Sequence, residues 1–264
     1  MKSKKKFIIN KNKKNPKFSI ITVVKNDEKG ICNTIKSVSN QTFRDFEYLI
    51  IDGNSSDKTL RKILSQKKKI NLLVSENDNG IYFAMNKGIR YSQGEILVFV
   101  NSGDLLKKDA LKQVYRIFEK NKNFDYVFGT VKRHYSKSII IKHGVNPNRL
   151  NYNFDFATSH STGFFLKKRN FLKYGLFNTK YKCSSDYDLY YRLILKNKIE
   201  GGSTNKNKIV GVVQSGGFSS KISFMGHIFE ETKIRLDNKQ NFFTVILIFC
   251  NAVIKGFLKK IFNQ

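Results

Sequence analysis

This chain has few of the residues that staple, span or acidify a protein. Its three cysteines, Cys32, Cys183 and Cys250, are odd in number and far apart. They predict neither a disulfide framework nor a zinc site, and a reducing cytosol suits them. No secretory signal is expected, because the basic start has no adequate apolar run behind it and no small-residue cleavage site. No long apolar run is present either. The greasiest segment, Phe242–Ile254 (FFTVILIFCNAVI), is broken by Asn251 and closed by Lys255, whereas a bilayer span needs roughly 20 predominantly apolar residues. No internal repeat is visible. Acidic residues are scarce: 20 Asp and Glu stand against 49 Lys and Arg, a net charge of +29. That excess fits phosphate contacts with nucleic acid, an anionic membrane face, or a Lys- and Asn-rich composition that leaves a solvated basic surface.

What is there is enough to fold. The chain has 264 residues, 40% of them hydrophobic, which supports a sizeable core and argues against global disorder. Four apolar runs end in polar residues: Phe18–Asn26 (FSIITVVKN), Tyr48–Asn54 (YLIIDGN), Asn71–Glu76 (NLLVSE) and Ile96–Asp104 (ILVFVNSGD). They read as strands buried on both faces of a parallel sheet. Between them lie helical spacings at Ile31, Ile35 and Val38; at Leu60, Ile63 and Leu64; at Ile81, Ala84, Met85 and Ile89; and then at Leu111, Val114, Tyr115 and Phe118. This alternation predicts an α/β fold with βαβ crossovers. Ligands bind such sheets at the carboxyl ends of the strands, where this chain places Asn, Asp, Glu and Gly.

The second half is less regular. Phe124–Gly129 and Lys208–Val213 read as strands, Val131–Lys142 as a hairpin, and Ser184–Leu195 as a helix with Asp186 and Asp188 in its first turn. Residues 1–17 are expected as a flexible basic arm, 18–220 as the main domain and 221–264 as a helical tail. In that tail, Gly226–Asn238 is a charged helix, and the greasy segment with Lys255, Lys259 and Lys260 suits a membrane interface or the packing of a core helix.

The runs Ser19–Val24 (SIITVV), Ile51–Thr59 (IDGNSSDKT), Gly80–Gly88 (GIYFAMNKG), Phe99–Asp104 (FVNSGD) and Ser185–Leu189 (SDYDL) resemble, in order, the motifs of family 2 glycosyltransferases. The resemblance covers about Phe18 to Gly217. It implies a Rossmann-like GT-A fold and inverting transfer of one sugar from a nucleotide-diphosphate donor. It makes Asp186 the general base and Asp188 the fallback beside the acceptor. It makes Asp104 a ligand of Mg²⁺ or Mn²⁺, though Asn101 and Gly103 replace acidic positions of the fuller motif. Asp52 is implied as a nucleotide contact, with Thr22, Asn26, Asp78, Lys87 and Asn101 as further donor-binding candidates. Met85 stands where many members carry Arg. His160, in Thr158–Thr162 (TSHST), is an acceptor-side candidate, and Gln214–Phe218 (QSGGF) a loop able to close. With no tryptophan and hence no Gln/Arg-x-x-Arg-Trp run, a processive synthase is not expected.

The resemblance also implies the setting. A UDP-sugar is the favoured donor, because UDP is common in the family. The acceptor would be a glycan or polyprenyl-linked glycan of cell-surface polysaccharide synthesis. The place would be the cytoplasmic side, peripheral at the inner face of the membrane, with an anionic lipid surface as partner and no specific nucleic acid. Taken singly, each acidic residue also reads as a turn or helix-cap residue. The rival class is a basic nucleic-acid-binding protein without catalysis, and a third reading keeps the fold without the activity.

Overall fold

The computed structural model describes residues 6–11, 14–135, 138–143, 161–217 and 222–262. The chain divides into two compact units. One comprises Met1–Gly144, Thr158–Leu176 and Ile199–Ser215; the other comprises Val145–Ala157, Phe177–Lys198 and Gly216–Gln264. The units therefore cut across the boundary expected at 220/221, and the segment around Asp186 groups with the C-terminal helices.

In the first unit the strands are β1 (Lys6–Asn10), β2 (Phe18–Val24), β3 (Phe46–Asp52), β4 (Leu72–Ser75), β5 (Ile96–Phe99), β6 (Leu105–Leu106), β7 (Tyr126–Phe128), β8 (Thr130–His134), β9 (Ile139–Lys142), β10 (Phe164–Lys167), β11 (Gly201–Ser203) and β12 (Ile209–Val213). The helices are α1 (Ile31–Ser39), α2 (Thr59–Ser65), α3 (Ile81–Tyr91), α4 (Ala110–Lys120) and α5 (Lys168–Tyr174). The main sheet runs β1-β4-β3-β2-β5-β10-β7-β11 and the smaller one β6-β12-β8-β9. The four runs read as strands form its parallel centre, β4-β3-β2-β5. Their side chains are buried almost throughout, which is why they are apolar without alternation. Ile31, Ile35, Val38 and Ile63 from α1 and α2, and Leu111 and Val114 from α4, pack with Ile20, Ile50 and Val98 in one core.

Two further strands complete the mostly parallel sheet. Lys6–Asn10, inside the expected arm, pairs antiparallel with β4 and covers an edge that would otherwise be open. The strand β10 enters antiparallel between β5 and β7, so the sheet is mixed.

In the second unit α6 (Ser185–Tyr190) continues into a π-helical segment, Tyr191–Lys196. It is followed by α7 (Phe224–Asp237) and α8 (Phe242–Phe262). The two long helices run antiparallel. The Phe229 and Phe249 rings lie 5.7 Å apart, and Phe224 packs on Gly256.

Gly94, just before β5, fixes how closely that strand's start approaches β2. Its N–H donates to Ser19 Oγ at 2.8 Å, and a Cβ built there would lie 2.5 Å from the Ser19 backbone nitrogen. Backbone cannot yield as a side chain can. Gly94→Ala is therefore expected to cost about 1–3 kcal/mol, the usual penalty for overpacking. Urea unfolding checks this, and an unchanged midpoint would refute the close approach.

Candidate active site

The carboxyl ends of β2 to β5 do lie side by side, but most of the polar groups gathered there are committed to one another. Thr22 is buried inside the sheet. Its hydroxyl donates to Val100 O at 2.7 Å and sits 3.0 Å from the Tyr48 hydroxyl. It is a core residue and lines no cleft. Asp52 is 0% exposed. It accepts from the Ser55 hydroxyl at 2.5 Å, the Ser75 hydroxyl at 2.6 Å and the Ser55 N–H. It organises the turn after β3 and offers no open face to a nucleotide. Asn26, in the left-handed region at φ 53°, is exposed and ties the end of β2 to the same turn. Its N–H donates to Ser55 Oγ and its Oδ1 accepts from the Ser56 N–H, each at 2.8 Å.

Asp78 faces Gly53, where a Cβ would lie 3.6 Å from its Oδ2. Lys87 from α3 forms ion pairs with Asp78 and, at 2.6 Å, with Glu76. Burial raises the Asp78 carboxyl above its ordinary range; Lys87 opposes the rise and Glu76 adds to it. Burial would lower the Lys87 ammonium, but its bonds to Asp78 and Glu76 outweigh this and hold it above the usual lysine range. Lys87 is thus paired with two carboxylates in this structure. Glu76, the second carboxylate paired with Lys87, is not among the residues expected from sequence. It is legible only as the polar end of the third apolar run.

The turn after β5 is held from several sides. Ser102 donates to Asp27 Oδ2 at 2.6 Å, and the Gly103 N–H donates to Thr34 Oγ1 at 3.0 Å. Asp104 is 5% exposed. One of its carboxylate oxygens accepts from the Thr162 hydroxyl and the other from the Gln214 N–H, both at 3.0 Å. The carboxylate therefore pins the segment before β10 and the end of β12 to this turn, and it does not stand open as the expected metal ligand. Asn101 differs. Its Nδ2 donates to Ser161 Oγ at 3.3 Å, while its Oδ1 is buried and has no hydrogen-bond partner among the described residues. A buried acceptor without a donor calls for a partner such as an ordered water or an ion. Among the described residues no group of three or more His, Cys, Asp or Glu side chains could hold a metal ion. Ser161, Thr162 and Gln214 were not read as parts of this turn. His160 lies outside the described residues, as does Phe218 of the expected closing loop.

In the second unit the two sequence candidates separate. Asp188 is 2% exposed and accepts from Arg192 Nε at 2.8 Å and Asn238 Nδ2 at 3.1 Å. It is a clamp between α6 and the end of α7. Asp186 is partly exposed and accepts the Tyr187 N–H at 2.9 Å. Its segment is braced by α7. Glu230 accepts the N–H groups of Lys182, Cys183 and Ser184 at 2.6–2.7 Å, and Asp237 accepts the Tyr181 hydroxyl at 2.7 Å. The Arg235 guanidinium lies 5.4 Å from the Tyr187 ring centroid and 5.8 Å from that of Tyr191. Burial pushes the Cys183 thiol up to about 12, and Glu230 adds to the rise. Burial alone would raise the Glu230 carboxyl, but its bonds to Cys183 and to the three N–H groups outweigh this and leave it below the ordinary range.

The glycosyl transferase family 2 model matches residues 19–184. A curated relative from Escherichia coli, UDP-Glc:alpha-D-GlcNAc-diphosphoundecaprenol beta-1,3-glucosyltransferase WfgD, is 32% identical over 136 residues, 51% of this chain and 53% of that protein. Poly(ribitol-phosphate) beta-N-acetylglucosaminyltransferase TarS from Staphylococcus aureus is 35% identical over 101 residues, 36% of this chain and 18% of TarS. These matches thus span about half or less of the length of the relatives. Among solved structures, TarS 1–349 in complex with UDP-GlcNAc superposes with a TM-score of 0.66 at 16% identity, over 90% of this chain and 71% of that one. The mannosyltransferase PcManGT from Pyrobaculum calidifontis, in complex with GDP-Man and Mn²⁺, gives 0.65 at 16% identity, over 94% and 73%. At these identities the superpositions show the fold, a GT-A fold with a helical C-terminal segment.

Two substitutions test the assignments of this site. Asp104→Ala is expected to lower the ligand-free melting temperature, because it strands a buried hydroxyl and an amide at about 1–3 kcal/mol each; a melting temperature that moves only with metal present would restore Asp104 as a ligand. Glu230→Gln should destabilise the protein at neutral pH. Because the folded carboxyl is depressed, its contribution is complete above the unfolded value of about 4.3 and disappears as pH falls through the lower folded value. The gap between wild type and variant should therefore close in acid, and a gap independent of pH would rule out the charged brace.

Proposed function

The chain belongs to glycosyl transferase family 2, and from that premise we propose that it moves one sugar, with inversion, from a UDP-sugar to a lipid-linked glycan acceptor. The observation that carries the reading is the division between the two aspartates of α6. The family motif implies a carboxylate base there, and Asp186 is the one with solvent access while Asp188 is buried in hydrogen bonds. The donor class is supported by WfgD, named for UDP-Glc, and by TarS, solved with UDP-GlcNAc. The acceptor class is supported by the diphosphoundecaprenol in the name of WfgD. Such an acceptor is embedded in a membrane, so the enzyme would work peripherally at the inner face. The rival reading, a nucleic-acid-binding protein, finds no support in the family match.

In this reading Asp186 accepts the proton of the acceptor hydroxyl as its oxygen attacks the anomeric carbon from the face opposite the diphosphate. The new C–O bond forms as the bond to the diphosphate oxygen breaks. UDP leaves with the electron pair, and the proton stays on the carboxylate. A base of this kind contributes ~10²–10⁴-fold. A divalent cation arriving with the donor would meet Asn101 Oδ1 and offset the charge on the departing diphosphate. Asp52 and Asp104 hold the loops that shape this edge.

Asp186→Asn is expected to lower turnover of a UDP-sugar by roughly 10²–10⁴-fold while UDP raises the melting temperature as it does for wild type. Near-normal turnover would remove Asp186 as the base. A panel of UDP and GDP with and without Mn²⁺ tests the donor: UDP at a hundredfold excess over Kd should add about 2.7 kcal/mol of stability, and Asn101→Ala should erase the Mn²⁺-dependent part. A panel in which neither nucleotide shifts the wild type would sink the reading.

A further inference from the structure

One surface of the second unit is used by nothing described so far. Helix α8 buries Val245, Ile248 and Ala252 on one face. Its opposite face is also apolar and lies open. Phe243 is 74% and Leu247 71% exposed, and Ile246, Ile254, Phe257 and Leu258 continue the row. Their spacing of three, four and seven residues sets them on one stripe. On α7, Phe224 and Phe229 are also more than half exposed. An uncovered apolar stripe of this extent marks an interaction site.

The charge selects the partner. From Phe242 to Gln264 the sequence holds Lys255, Lys259 and Lys260 and no acidic residue, and the whole chain carries +29. Lys255 is exposed and follows Ile254 directly. A second copy would bring the same excess of positive charge against the stripe, whereas an anionic bilayer offers both an apolar interior and opposite charge. Each Lys near such a surface is worth about 1 kcal/mol. Among the described residues no helix is long and apolar enough to cross a membrane. At 21 residues and ~1.5 Å per residue, α8 is about 30 Å of helix suited to lying in the interface. We propose that the exposed face of α8 docks the protein on an anionic lipid bilayer, α8 lying in the plane of the headgroups with Lys255 among them. The choice of a bilayer rests in part on the lipid-linked acceptor proposed above, and the unit that docks is the unit that carries Asp186.

The chain has no tryptophan, so Leu247→Trp supplies a single reporter. Its emission should shift to the blue when vesicles of phosphatidylcholine with phosphatidylglycerol are added, and much less with phosphatidylcholine alone or in high salt. In co-sedimentation, Phe243→Glu/Leu247→Glu should lose roughly tenfold or more of its partitioning and Lys255→Glu a smaller share, with the helical circular dichroism unchanged. Overturning results are an unshifted reporter, a double variant that partitions as wild type, or a wild-type dimer that the double variant splits without vesicle binding in either. UDP-induced stabilisation, read on the same samples, keeps the two failures apart: lost docking with intact UDP binding condemns the patch alone, and lost UDP binding with intact docking condemns the donor reading alone.

Discussion

A strand buried on both faces must return its chain to water at its end, and it can do so only if the polar groups there find partners. That constraint shapes the first unit. The centre of the sheet is apolar on both sides, so the polar residues collect in the turns after β2, β3, β4 and β5. There they satisfy one another: Asp52 with Ser55 and Ser75, Asn26 with Ser55 and Ser56, Asp27 with Ser102, Asp104 with Thr162 and Gln214. An unpaired buried polar group costs about 1–3 kcal/mol, so these bonds hold the edge in one shape. The carboxylates at this edge serve as framework. Among the described residues, Asn101 Oδ1 and Asp78 Oδ2 are buried acceptors at this edge that find no hydrogen-bond partner.

The elements of the fold were legible because burial writes itself into composition. The apolar runs within 18–26, 48–54, 71–76 and 96–104 read as sheet interior and fold as β2 to β5, and the helical spacings between them follow the faces that α1 to α4 turn inward. β10 was not legible, since four residues with no alternation carry no direction. β1 was hidden by the lysines around it. The site was read by position more truly than by orientation. Asp52, Asp78, Asn101 and Asp104 do stand at the carboxyl edge, yet a motif does not say which way a carboxylate turns. Thr22 and Asp52 are at or near a strand end with side chains facing inward. Partners such as Thr162 and Gln214 come from distant segments that no local spacing links to Asp104.

The second unit follows a different logic. The segment Tyr181–Tyr191 is short and polar, and α6 is too brief to be stable alone. Its order comes from α7, through a carboxylate that collects three backbone N–H groups and an arginine stacked beside two tyrosine rings. This explains why the compact units join residues 177–198 to the C-terminal helices rather than to the sheet. It also explains why two aspartates two residues apart differ so much. Asp188 faces Arg192 and the end of α7 and is consumed in that packing, while Asp186, on another side of the turn, keeps contact with solvent.

The charge of the donor gives the last constraint. A sugar diphosphate brings concentrated negative charge, and a site must offset it to release the leaving group. The α3 helix contributes little toward this. Met85 is buried in the position where a charged fork is common in the family, and the ammonium of Lys87 is already matched by Glu76 and Asp78. A lysine bridging two carboxylates has no net charge to give without breaking a buried pair, which is costly. The described edge of the sheet therefore cannot neutralise a diphosphate from α3 alone. In the proposed reading the positive charge arrives with the substrate as a divalent cation, and the protein needs to offer it only a neutral oxygen. Asn in place of an acidic residue at position 101 is consistent with that economy: the cation keeps its charge for the phosphates instead of yielding it to the protein.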